Sequence, residues 1–111
     1  MTNPRREIEF AWGEGVIRSR PTMAKIAEVE TKFGPAPIIA RRVASLEFSV
    51  TKELLPLLAV VLRGCEDVPK GDGKVMEAAF ELGAYSFIGP VVSWLVAAYD
   101  VAEPPEPTEG N

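Results

Sequence analysis

Histidine is absent from this 111-residue chain and cysteine occurs once, at Cys65. Without histidine the commonest general base and the commonest transition-metal ligand are missing together. A single cysteine excludes an intrachain disulfide and fits a reducing, cytoplasmic setting. Positive charge is also in deficit, with 12 Lys and Arg against 16 Asp and Glu, a formal net charge of −4. That balance argues against nucleic acid, which demands a basic surface to displace counterions, and against anionic lipid. The opening residues MTNPRREIEF contain no apolar run, so no secretory leader is expected. The longest apolar stretch falls short of the roughly 20 residues that span a bilayer.

That stretch, Thr51–Gly64, organises the rest. Leu54, Leu55, Leu57, Leu58, Val60, Val61 and Leu62 leave no polar stripe at helical or strand spacing, so the segment should be covered on every side as a central helix over 51–63. Thr51 is a candidate N-cap, with Val50 and Leu55 as a hydrophobic staple, and Arg63-Gly64 a fitting stop. Pro56 removes a backbone donor, so either the first turn is distorted or the helix starts later, near Leu54.

Before it, residues 1–5 are expected to fray, and Ile8, Phe10 and Trp12 alternate with Glu7, Glu9 and Ala11 as a half-buried strand. Gly13-Glu14-Gly15 signals a turn, with the return strand over Val16–Arg20. The preferred register sets Trp12 opposite Ile17, Phe10 opposite Ser19 and Glu9 opposite Arg20. A helix over 22–33 follows, capped by Thr22, with Met23, Ile26, Val29 and Phe33 inward, an i,i+4 pair Glu28–Lys32, and Gly34-Pro35 as its end. A second, over 37–46, should bury Ile38, Ile39, Val43 and Leu46 with Arg41 and Arg42 outward. Phe48 then plugs the core from a short extended connector.

Beyond the central helix, Cys65–Gly73 reads as a loop. A helix over 73–82 should bury Val75, Met76, Ala79 and Phe80 and stop at Gly83. A last helix over 89–100 is apolar on more than one face through Val91, Val92, Trp94, Leu95, Val96, Ala98 and Tyr99. Either it is deeply buried or it leaves an apolar strip for a partner. Residues 103–111, EPPEPTEGN, have the composition of a disordered acidic tail. The expected fold is α+β: one domain over 1–102, an N-terminal antiparallel hairpin at 7–20 packed on a bundle of about five helices.

Chemistry-bearing motifs are weak. Cys65-Glu66-Asp67 offers a thiol whose acidic neighbours raise its pKa, with no base to activate it. Gly71-Asp72-Gly73-Lys74 lacks the spacing of a phosphate loop, and Glu66, Asp67 and Asp72 lack that of a calcium loop. Glu7, Glu9, Glu28 and Glu30 fall on solvent faces. Arg41 and Arg42 with Arg18 and Arg20 are a candidate basic docking patch, although a solvated face is the default. Trp12, Phe48, Trp94 and Tyr99 are at core spacings, and any one of them exposed would be an interface anchor. No catalytic residue, cofactor or metal is expected, and the best partner-binding candidates are Val92, Trp94, Val96 and Tyr99 with Arg41 and Arg42.

In its order of turns and apolar positions the chain resembles the small tail assembly chaperones of tailed phages and bacterial gene transfer agents. The likeness is carried by Arg6–Phe10, Arg18–Thr22, Ile26–Glu30 leading to Phe33-Gly34, Ile39–Arg41 and Leu58–Gly64, and covers roughly residues 5–100. Pro56 and the long Cys65–Gly73 loop depart from that pattern. The resemblance implies a non-enzymatic cytoplasmic protein that holds a tail-tube or tape-measure protein during virion assembly. A structural component retained in the particle, and an adaptor unrelated to phage, are the alternatives.

Overall fold

A computed structural model describes residues 7–102; the expectations for residues 1–5 and 103–111 lie outside it. Two strands, β1 (Ile8–Trp12) and β2 (Gly15–Ser19), form an antiparallel hairpin. Gly13 alone in the two-residue loop takes a positive φ, +62°, the pattern of a II′ turn whose twist suits paired strands. That turn sets Trp12 opposite Gly15, Phe10 opposite Ile17 and Ile8 opposite Ser19. The register is therefore two residues from the expected one. Because side chains alternate, the faces survive the shift and the cross-strand partners do not. Glu9 meets Arg18, not Arg20, with Nε to Oε2 at 3.1 Å.

Helix α1 (Met23–Lys32) starts at Thr22, whose hydroxyl accepts from the Lys25 amide, and ends at Gly34 with φ +112°. It buries Ile26 and Val29 but leaves Met23 on the surface, since the first turn projects past the core. Helix α2 (Ala36–Ala44) buries Ala36, Ile39, Ala40 and Val43. Ile38 is on its outer face and Leu46 lies beyond its end, so neither is the core residue its spacing suggests. Leu46 closes a Schellman cap: its amide reaches the Val43 carbonyl and that of Glu47 the Arg42 carbonyl. To do so it takes φ +62°, a conformation usually left to glycine, with its side chain 58% exposed.

The central helix begins in π geometry over Val50–Leu54 and continues as α3 (Leu55–Leu62). Pro56 lacks the N–H an α-helix would direct to Lys52, and the wider turn absorbs that loss, with the Leu55 amide reaching back to the Val50 carbonyl. The cap is Ser49 rather than Thr51. Its hydroxyl accepts from the Lys52 amide while its own amide donates to Glu53 Oε1, a reciprocal box stretched by one residue. Leu55 and every residue from Leu57 to Leu62 are buried, as a helix without a polar stripe requires.

Helix α4 (Asp72–Gly83) packs on α3 through Val75 and Ala79. Gly83 turns the chain at φ +106°, yet no loop follows. A 3₁₀ turn (Ala84–Phe87) leads straight into α5 (Ile88–Ala102). The described residues thus hold four separate helical segments where five are expected, because the last two are joined. The stretch Asp72–Tyr99, 28 residues, is long and apolar enough to cross a membrane by length and composition. Here it is bent at Gly83, with α4 on α3 and α5 against α2 and β1. The hairpin lies across α3 and α5, where Phe10 and Ile17 join the core and Trp12 packs on Phe87 with centroids 5.6 Å apart.

Candidate functional site

The expected docking residues of α5 fall in three different environments. Trp94 is fully buried, and its indole Nε1 donates to Ser19 Oγ at 3.0 Å. It cannot anchor a partner, because an apolar helix gripped by α2 on one side and β1 on the other turns its largest side chain inward. Tyr99 is half-buried and spends its hydroxyl on the Ala36 carbonyl at 2.9 Å, and burial raises its pKa. Val92 is half-buried against the core, and only Val96 is exposed.

Two of the four arginines of the expected basic patch are neutralised, and Arg20, like Arg41, is exposed. Arg18 pairs with Glu9, and Arg42 makes a two-pronged pair with Glu53 at 2.8 and 2.9 Å. Arg42 is therefore not a free outward charge, whereas Arg41 is exposed. The Ser49 amide and then Arg42 hold the Glu53 carboxyl below its ordinary range. A second ionic cluster ties α1 to the end of α3 and the start of α4. Arg63 reaches Glu28 at 2.6 Å and Asp72 at 2.8 Å, and Lys32 reaches Glu28 at 2.9 Å. Arg63 first, then Lys32, lowers the Glu28 pKa to about 2.

Between these clusters the end of α3 is tied down from inside. The Val61 carbonyl, one of the last in its helix and without an intrahelical donor, accepts from Ser19 Oγ at 2.6 Å and from Lys25 Nζ at 2.8 Å. An ammonium also suits the negative end of the helix dipole. Burial lowers the Lys25 pKa.

No group of three or more His, Cys, Asp and Glu that could hold a metal occurs among the described residues. Cys65 is half-buried, its thiol against the Arg18 carbonyl at 3.5 Å. The loop from Arg63 to Asp72 borders an open hollow with Glu66 and Asp67 exposed, and Gly71, at the start of α4, takes a positive φ of +101°.

What the surface does carry is apolar. Phe80, expected in the core, is 61% exposed, and Tyr85 is 63% exposed with Phe48 edge-on at 6.1 Å. Helix α4 meets the body along Val75 and Ala79, with Met76 partly buried beside them, so Phe80, one position round from Ala79, falls at the edge of the contact. There an open groove of about 540 Å³ runs between the start of the central helix and α4, floored by Leu55 and Met76 and walled by Phe80, with Glu77 and Glu81 beside them. Sequence periodicity could have flagged it: Gly73, Met76, Glu77, Phe80 and Glu81 share one face at three- and four-residue steps.

No family model, no curated protein and no solved structure matches the chain.

Proposed function

We propose that this protein is a non-enzymatic tail assembly chaperone of a phage-like particle or gene transfer agent. It acts in the cytoplasm and holds a tail-tube or tape-measure protein until that protein is built into the tail. The observation that most supports the reading is the apolar side chains left outside a filled core: Phe80, Leu82 and Tyr85 on α4 and the 3₁₀ turn, with Phe48 against Tyr85. Contiguous exposed apolar surface marks sites that another chain covers, and here the Phe48–Tyr85 pair is the contiguous part. Binding is then the work of α4 and the 3₁₀ turn, and the apolar content of α5 serves the core.

The test is co-expression of the tagged protein with its genomic neighbours, followed by capture, using the native chain and a Phe80→Ala/Tyr85→Ala variant. A tail-tube or tape-measure protein should be recovered by the native chain and lost with the variant, while purified particles lack the bait. A folded bait that captures no tail protein rules the reading out. A bait retained in particles instead identifies a structural tail component.

A further inference from the structure

We infer that the groove between the start of the central helix and α4 seats one amphipathic helix of the partner, with Lys or Arg flanking its apolar stripe. This rests on the chaperone reading and names the chemistry of what is held.

The groove is shaped for a helix. Its α4 wall repeats at steps of three and four residues from Gly73 to Glu81, the spacing of a ridge that packs into the grooves of another helix. Those residues span about 12 Å, roughly two turns. At the upper end Gly73 leaves the space open: a Cβ built there meets no heavy atom within 4 Å.

The charge around the groove selects the occupant. Glu77 and Glu81 lie four residues apart on one helix face and repel one another. Neither forms an ion pair among the described residues. Glu81 also sits near the negative end of the α4 dipole, and the last turn of α4 holds no basic residue. A cation beside Phe80 offsets all three effects. The same charges disfavour a second copy of this chain, which would set acidic rim against acidic rim. They disfavour the chain's own residues 103–111, which contain three Glu and no Lys or Arg, and an anionic membrane surface.

The probes are two synthetic helical peptides with the same leucine stripe, one with lysine and one with glutamate at all other positions. Each is titrated into the isotope-labelled full chain while amide shifts are followed by NMR. The Leu/Lys peptide should move the amides of Thr51, Leu55, Met76 and Phe80, and bind at least about tenfold more tightly than the Leu/Glu peptide. Glu77→Lys/Glu81→Lys should reverse that preference. Gly73→Leu keeps every charge and fills the open end, so it should weaken the Leu/Lys peptide by about tenfold without unfolding the chain. Equal binding of both peptides overturns the inference. So do shifts that map elsewhere, full binding to the Gly73→Leu chain, or concentration-dependent self-association that Phe80→Ala abolishes.

The two proposals fail separately. Peptide binding in the groove with no tail protein captured from co-expression removes the chaperone reading alone. Capture of a tail protein that Gly73→Leu leaves intact removes this inference alone.

Discussion

Trp94 Nε1 donates to Ser19 Oγ, and the same hydroxyl donates to the Val61 carbonyl, so two residues 75 positions apart close a buried chain of hydrogen bonds. Ser19 is the one buried polar residue of the described core. Ser19→Ala leaves the indole N–H buried without an acceptor, at a cost of about 1–3 kcal/mol. For a domain of this size the melting temperature should fall by about 4–8 °C per kcal/mol. Trp94→Phe removes the donor and spares the serine, so it should cost less through the bond itself. A double-mutant cycle read by thermal denaturation should give non-additive losses, and additive ones would show the pair to be uncoupled.

Leu46 offers a gain in stability. Its backbone is left-handed and its side chain is largely in water, so glycine relieves strain without removing core contacts. Leu46→Gly should stabilise the fold by about 0.5–1 kcal/mol. The denaturation midpoint should rise with an unchanged slope.

Acid should loosen the fold through Glu28 and Glu53. Both have folded-state pKa values below the ordinary Glu range, Glu28 at about 2. Carboxylates depressed on folding stabilise above their unfolded pKa, and the contribution is lost as pH falls through the folded value. Stability should therefore decline between about pH 4.5 and about pH 2. Glu28→Gln should flatten that decline, and added salt should weaken it because the cluster is close to solvent. A denaturation midpoint independent of pH over this window would remove the argument.

Phe80→Ala should leave the fold almost untouched despite removing an aromatic ring. At 61% exposure the change should stay within about 0.5 kcal/mol, as for other surface positions. A large drop in melting temperature would mean that Phe80 serves the core. Trp94→Ala, by contrast, empties a fully buried site at a cost of about 3–5 kcal/mol, a large share of the stability of a small domain.

Much of the architecture was legible because its signals are local. Thr22, Gly34 and the turn at Gly13 mark their boundaries through capping and backbone chemistry, and the apolar continuity of Leu54–Leu62 identifies the central helix. The hairpin register was not legible, since registers two residues apart bury the same faces and only the turn geometry separates them. Ser49 does not stand out as the cap in the sequence because the π turn moves its glutamate partner from three residues away to four. The covered side of α5 was not legible for a different reason. In α5, apolar on several sides, periodicity cannot tell which side is covered, and Trp94 is settled by Ser19 far away in sequence. In α4 the spacing marks Val75 and Ala79 but not the exposure of Phe80, because how far round the helix its contact with α3 extends is a property of the packed pair.

The shared oxygen of Val61 also bears on how the chain is made. Its partners on β2 and α1 emerge from the ribosome long before α5, which supplies the indole and much of the surface the hairpin lies on. A two-stranded hairpin alone is marginal in water. During synthesis the apolar faces of Phe10 and Ile17 therefore stay partly uncovered until α5 arrives, and the hairpin becomes resistant to protease only once α5 has emerged.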